Sequence, residues 1–453
     1  MMLRLFGVAG GSSYTPPRLI QIVEEGQLKG EIVQSSQAPF FVEASAGMME
    51  TNTVYHQGLG SGFPHSGSMR KVRFSKEPSL ERYFLLGGSA ALGQQPVNLK
   101  TKMTWKTIPL GNSVAALPID LSISGEIQSR LLGKGISAEV LNAGMIAQDS
   151  GGVRRLAMEV LQYNPTGLFL YLGNNEGIGM AYGMNGVTLE HVPEVREILR
   201  SIRLYRVLAD AIVPQTAKPP NVTLSGTKPE VLGRLTQNQW RAAGRALVQR
   251  GMPTDSVYKA LLKRLQTNLA QIKEACQAQG VSLYIITTPP HLTYPPFYSA
   301  NSPELLERDI YRYSKLLGNS NQAQRKQDWS SALQYSQQAV SIEKNHANGW
   351  FVYGESLRRN RQEPAALEAF ETALWMDLSR KRTLPSYANI AAEVCKDGGC
   401  QTVSAYDDLR LSIEKKGFSI LDQRFGDHEH LTPQGCRWIA GLFMKLLDTN
   451  KEN

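Results

Sequence analysis

Cysteine is scarce in this chain, long apolar runs are missing and so is metal-ligand spacing, and each shortage excludes a class of protein. Four cysteines in 453 residues are too few for the disulfide framework of a small secreted scaffold. Cys276 falls near the end of an amphipathic stretch and Cys436 follows an Asp/His-rich loop, so both are expected to pack in the core. Cys395 and Cys400 flank Lys396-Asp397-Gly398-Gly399 and could close a small loop in an oxidising compartment. That pair lacks the second ligand pair of a zinc site, and neither a metal nor a cofactor is expected. No stretch approaches the roughly 20 consecutive apolar residues of a membrane-spanning helix. The opening Met1–Gly10 turns polar too soon for a signal peptide. As it stands the sequence reads as cytoplasmic, and a truncated N-terminus would make it periplasmic or membrane-anchored, so localisation stays open.

What is present is a globular composition, 42% hydrophobic, at a length that accommodates two or more domains. The net charge of +9 comes from scattered basic residues. Arg196, Arg200, Arg203 and Arg206 stand at helical spacing, and Arg380-Lys381-Arg382 form a run. Both read as solvated surface. No nucleic-acid motif accompanies them, and no nucleic-acid partner is expected.

Residues 1–78 are rich in Gly, Ser, Pro and Gln without a sustained period, which predicts an irregular arm. From residue 79 the pattern becomes parallel α/β, with strands at Arg82–Leu86, Ala138–Leu141, Leu168–Leu172 and Val281–Thr287. The intervals are long enough for crossover helices. Val153, Leu156, Ala157, Val160 and Leu161 make the apolar stripe of a helix packed on a sheet. Val257, Leu261, Leu265, Leu269 and Ile272 mark a long amphipathic helix with Gly280 at its C-cap. Between these two helices, Pro214–Pro229 reads as a surface excursion.

An internal repeat follows the fourth strand. Ala332-Leu333 recurs as Ala366-Leu367, and Ala339-Val340 as Ala373-Leu374, both displaced by the roughly 34 residues of the tetratricopeptide (TPR) period. Trp350, Tyr353, Gly354, Leu357, Ala366, Phe370 and Ala373 stand at the consensus positions, although Leu378 replaces the usual proline. The first copy keeps its second helix and has a poor first one. Two such hairpins bury little core alone, so the module should dock on its host. The expected organisation is an arm over 1–78, an α/β domain over 79–310, a TPR-like insertion over 311–380, and the remainder of the α/β domain over 381–453.

Three short blocks carry chemistry. Ser89 follows the strand Tyr83-Phe84-Leu85-Leu86 in Gly87-Gly88-Ser89, at a strand's carboxyl end, where open α/β sheets place their sites. Gly173-Asn174-Asn175-Glu176 follows another apolar strand. Asp427-His428-Glu429-His430 precedes Leu431-Thr432-Pro433-Gln434-Gly435, where Thr432 can cap a helix and Pro433 can open it. A fourth segment, Asn142-Ala143-Gly144, follows a short strand. Each alone has an ordinary reading as a turn or cap. Together they supply a serine nucleophile, oxyanion donors and an Asp-x-x-His base.

The set resembles the SGNH (GDSL-like) hydrolase family, in particular its bacterial members with a TPR insertion. Gly-Gly-Ser stands in place of Gly-Asp-Ser, and Glu176 in place of the family's Asp. The resemblance implies an SGNH/flavodoxin-like three-layer α/β/α fold with a parallel sheet and an α-helical TPR-like insertion. It implies Ser89 as nucleophile, His430 as base, Asp427 as its orienter, and Ser89, Gly144 and Asn175 as oxyanion donors. His428 is the alternative base, and its expected surroundings are solvent or the loop. The substrate would carry an ester and be a small molecule, lipid or glycan, while the insertion would shape access or recruit a protein partner. These residues do not separate an esterase from an acyltransferase with the same triad, and a catalytically silent binding scaffold is the third reading.

Overall fold

A computed structural model of the chain describes residues 18–24, 27–34, 40–51, 71–93, 105–110, 113–118, 121–145, 148–176, 255–297, 299–302, 304–378 and 382–452. The Arg196–Arg206 stripe, the Pro214–Pro229 excursion, Arg380 and Lys381 lie outside them. At the centre is a five-stranded sheet of β1 (Glu81–Gly87), β2 (Ala138–Asn142), β3 (Gly167–Leu172), β4 (Ser282–Thr287) and β5 (Gln401–Thr402). The strands run in the order β5-β4-β3-β1-β2, and every neighbouring pair is parallel.

Parallel strands buried on both faces read as continuous apolar runs, which is the pattern of β3, Gly167-Leu-Phe-Leu-Tyr-Leu172, buried at all six positions. Alternation along the strands sends their side chains into two layers. Tyr83 stacks on Phe169 at 5.2 Å between ring centroids, Tyr284 lies 5.2 Å from Phe169 on its far side, and Phe443 closes the group at 5.0 Å. Phe443 belongs to α12 (Pro433–Glu452), which also packs on α2 (Ile123–Gly133). Phe84, one residue on from Tyr83, points the other way and meets Phe41 and Tyr163. Tyr163 follows α3 (Ser150–Val160), which packs against α4 (Asp255–Ala278), and α4 in turn packs against α9 (Pro385–Cys395). Helices thus cover both faces of the sheet.

β1 leads to β2 on one side and the chain then returns to place β3 on the other. The carboxyl ends of β1 and β3 therefore diverge around a topological switch point, where open α/β sheets form a crevice. The four sequence-predicted strands match β1 to β4 within a residue or two, whereas the two-residue edge strand β5 was not anticipated. Gly280, with φ +64°, ends the turn after α4 as expected.

The N-terminal region departs from the irregular arm read from its composition. Arg18–Glu24 pairs with Gln27–Gln34, and Phe41–Ser45, Met48–Thr51 and Lys71–Arg73 form a three-stranded antiparallel sheet. A further hairpin, Trp105–Leu110 with Ser113–Pro118, is separated in the sequence by Gly111-Asn112, a two-residue turn signal.

After β4 the chain forms α5 (Glu307–Arg325), α6 (Trp329–Ile342), α7 (Ala347–Arg359) and α8 (Glu363–Met376), each packed on the next. α5 is a 19-residue helix where the sequence suggested a poor one, and it begins four positions before the expected boundary at 311. The helices do not stand apart from the sheet domain. Leu367, Phe370 and Leu374 of α8 join the same core cluster as β1–β4, and Phe370 packs edge-on against Phe418 at 5.4 Å. α10 (Ala405–Lys416) contributes the Tyr406 hydroxyl, which donates to Glu371, and α11 (Ser419–Arg424) leads to the Asp/His loop.

Cys395 and Cys400 form a disulfide across the turn from α9 to β5, while Cys276 and Cys436 are buried in the core and not disulfide-bonded. Arg382 contradicts its assignment to a solvated basic surface, being 3% exposed and paired with Asp377 at 3.1 Å. Among the described residues no helix is long and apolar enough to cross a membrane.

Candidate active site

Ser89 opens the short helix α1 (Ser89–Leu92) immediately after β1. The last turn of chain before it has no room for side chains. A Cβ on Gly88 would lie 2.2 Å from the Asn175 Nδ2 atom, so the Asn175 amide occupies the space a side chain would need. Asn175 follows β3, and it thereby rests on the backbone that carries Ser89, across the switch point. Its Nδ2 donates to the Gln148 carbonyl at 3.0 Å, which uses one of its two hydrogens.

Asp427 and His430 reach the same place from the other end of the chain. Thr432 caps α12, accepting from the Gly435 N–H at 3.1 Å, and Gly426 donates to the His430 carbonyl at 2.8 Å. These bonds fold residues 426–432 into a tight loop. Asp427 Oδ1 accepts from the backbone N–H groups of Glu429 and His430 at 2.9 and 2.7 Å. Its Oδ2 lies 2.7 Å from His430 Nδ1, and His430 Nε2 lies 2.8 Å from Ser89 Oγ. Burial alone would raise the Asp427 carboxyl, but the His430 charge and hydrogen bond hold it well below the usual carboxylate range. Burial would likewise lower His430, and the Asp427 charge and hydrogen bond, followed by the Glu429 charge, bring it up to about 9.

Gly144 is close to this centre, yet it is differently engaged from the expectation. Its N–H donates to Asn142 Oδ1 at 2.9 Å, and its Cα packs so closely on α1 that a Cβ would sit 2.4 Å from the Leu92 nitrogen. Asn142 also donates to the Ala91 and Leu92 carbonyls at 3.1 and 3.3 Å. The pair braces the helix that carries Ser89. The Gly144 N–H has an acceptor already, leaving the Ser89 N–H, one of the first-turn groups that have no partner within a helix, and the Asn175 amide as donors next to the serine.

Glu176, which stands where the SGNH pattern has Asp, also has a structural task. Its carboxylate accepts from the Ser150 N–H at 2.7 Å and from the Ser150 hydroxyl at 2.8 Å, at the N-terminus of α3, where negative charge is favoured. Burial and then the Asp149 charge push it up to about 7, against Arg264 and the Ser150 hydrogen bonds. This ties the turn after β3 to α3 and so holds Asn175 beside Gln148.

His428 is 6% exposed, so of its two expected surroundings, solvent or the loop, it lies against the loop. Its ring packs against Phe297 at 4.9 Å and Tyr294 at 5.4 Å, and its Nε2 lies 3.4 Å from Glu429 Oε1. Phe297 and Tyr294 belong to the loop after β4, which the Asp377–Arg382 pair fastens. Asp377 accepts from the Phe297 N–H at 3.0 Å, and Arg382 donates to the Tyr294 carbonyl at 2.8 Å. Glu429 and Asn174 stand in the two motifs with no role expected from the sequence. They meet here, the Asn174 amide donating to Glu429 Oε2 at 2.8 Å. Their only sequence signal was membership of the two blocks.

The arrangement joins a hydroxyl to an imidazole and the imidazole to a carboxylate, with an amide donor on the adjoining backbone. Such a set can remove the serine proton as the oxygen attacks an electrophile. Among the described residues no cluster of three or more His, Cys, Asp or Glu side chains could hold a metal ion.

No protein-family model matches the chain, and no curated protein matches it. Solved structures give distant likenesses. An α/β hydrolase, LAE5, from the metagenome of Lake Arreo in Spain aligns over 81% of this chain and 94% of its own at 9% identity and a TM-score of 0.31. The psychrotrophic esterase EstA from Pseudoalteromonas sp. covers 82% of this chain and 100% of its own at 12% identity, TM-score 0.31. TesA covers 81% and 98% at 12% identity, TM-score 0.28.

Proposed function

We propose that the protein is a serine esterase of the SGNH type that cleaves an acyl or acetyl ester through an acyl-enzyme on Ser89. The observation that carries this reading is the hydrogen-bonded line from Ser89 Oγ through His430 to Asp427, at 2.8 and 2.7 Å. In its neutral form His430 donates from Nδ1 to Asp427 and presents an Nε2 lone pair to the serine hydroxyl. As Oγ attacks the ester carbonyl, Nε2 takes its proton, and the resulting imidazolium is stabilised by Asp427. The carbonyl oxygen, now negative, is met by the Ser89 N–H and the second hydrogen of the Asn175 amide. His430 then returns the proton to the departing alcohol oxygen, and water, activated in turn by His430, releases the acid. An alcohol acceptor in place of that water would make the same site an acyltransferase.

The helices α5–α8 take no part in this chemistry. In this reading they are a TPR-like insertion whose second helices start 34 residues apart, at Trp329 and Glu363, and they govern access or partner recruitment through the loop that Asp377 and Arg382 fasten.

The test is covalent and kinetic together. Incubation of the protein with a fluorophosphonate should add one phosphonyl group at Ser89, found by mass spectrometry of the digested protein. Ser89→Ala should abolish both labelling and ester turnover while leaving the circular dichroism spectrum unchanged. Failure of folded wild-type protein to label would favour the silent-scaffold reading. A product ratio measured with added acceptor alcohols then separates hydrolysis from transfer.

A further inference from the structure

Glu429 is a carboxylate beside His430 that the triad does not use. Its Oε1 lies 3.8 Å from His430 Nε2, the nitrogen that faces Ser89, and 3.4 Å from His428 Nε2. Its Oε2 is held by the Asn174 amide at 2.8 Å. Asn174 is 2% exposed and belongs to the same turn after β3 as Asn175. The glutamate is therefore fixed from the sheet side and from its own loop at once, with its charge directed at the working end of the base. Asp427 grips the Nδ1 end and Glu429 faces the Nε2 end.

We propose that Glu429 is a positioning residue that sets the proton affinity and ring orientation of His430 from the side opposite Asp427. The proposal rests on the esterase reading for its kinetic consequence, though not for its electrostatic one. A carboxylate within 4 Å favours the charged imidazolium. In the resting enzyme that favours the protonated ring and holds activity down near neutral pH. In the transition state, where the ring has taken the serine proton, the same charge lowers the barrier. Well below the His430 midpoint the two effects offset each other, and above it Glu429 makes the step faster.

The surrounding groups leave this role to Glu429. Around His430 stand Asp427 on its own loop, Ser89 from α1, and His428, whose ring centre is 6.2 Å away. His291, from the loop after β4, faces Asp427 and His428 and is brought down to about 4 by burial and then the Arg382 charge, so it is neutral through the working range. Tyr171, from β3 and fully buried, is held well above its ordinary value by burial first, with smaller contributions from Cys436 and Glu429, and stays protonated. Glu429 itself would be raised by burial, and the charges of His428 and His430 bring it below its ordinary value. It is anionic wherever His430 titrates.

The experiment follows the His430 imidazole by NMR titration in wild-type, E429Q and E429D proteins and measures kcat/KM for a small ester across the same pH range. In E429Q the His430 midpoint should fall by about 1 unit or more, and the acidic limb of the rate profile should move down by the same amount. Its high-pH plateau should drop roughly 10-fold, the rate equivalent of one pKa unit. E429D, which keeps the charge at a shorter reach, should lie between the two and recover part of the plateau. It also serves as the test if E429Q does not fold. An unmoved His430 midpoint in folded E429Q, or equal rate losses at every pH, overturns the proposal. The NMR midpoint is read without substrate, so a wild-type protein that turns over no ester would count against the esterase reading alone.

Discussion

At the scale of single residues, the site depends on atoms that the chain leaves out. Gly88 has no Cβ because the Asn175 amide fills the space, so the identity of one residue is set by the position of another 87 places away. Gly88→Ala should push Asn175 off the serine backbone, and Asn175→Ala should remove the donor outright. Both should lower kcat by about 10²–10³-fold with a smaller change in KM, because the bond to the oxyanion strengthens in the transition state. Steady-state kinetics on a small ester measures this. Near-normal kcat in Asn175→Gly would remove the amide from the mechanism. The sequence made Ser89, Asn175, Asp427 and His430 legible through motif spacing. It could not show that Gly144 donates to Asn142, or that Glu429 turns toward two imidazoles, since neither contact follows from residue type or period.

At the scale of elements, the strands that could be read were those whose burial is nearly complete. β1 and β3 are buried almost throughout, and the apolar runs Tyr83–Leu86 and Leu168–Leu172, each followed by glycine, leave few alternatives. β5 has two residues, both half-buried, and gives no periodic signal at all. The N-terminal ladders were concealed by their Gly- and Gln-rich composition, which favours no period, although pairing needs only a complementary register. Helix α5 gives a weak sequence signal because its mean composition is polar, whereas Tyr313, Leu317, Ser320 and Ala323 still form one buried stripe. Phe370, on α8, sits between Phe351 and Phe418 and joins the helical hairpins to the sheet core. Phe370→Ala should cost about 3–5 kcal/mol, read from the denaturant midpoint. It should also loosen the Asp377–Arg382 fastening, so turnover of bulky esters should fall more than that of small ones.

At the scale of the whole molecule, pH should move stability and activity in opposite directions. Glu176, raised to about 7, contributes stability that is complete below its unfolded value of about 4.3 and is lost as pH rises through 7. His430, raised to about 9, contributes stability present below about 6.5 and lost as pH rises through 9. Asp427, depressed by the His430 charge and hydrogen bonds in spite of its burial, adds stability above about 3.9. Thermal midpoints should therefore be highest near pH 5 and decline toward pH 9. Esterase activity should climb over the same interval as His430 becomes a free base. Parallel melting and rate profiles on one preparation check this, and a thermal midpoint that rose with pH between 5 and 9 would contradict the assignment of the two buried groups.

Ser89 and His430 are 341 residues apart in the chain, and that spacing has a consequence during synthesis. A ribosome delivers the serine, the strand beneath it and the amide beside it long before the loop that carries the base. On the esterase reading, a nascent chain shorter than that loop holds the serine hydroxyl without His430 as its proton acceptor. On that reading, the last loop and the helix it leads into switch the serine on only after strands β1–β4 and helices α5–α8 have been made.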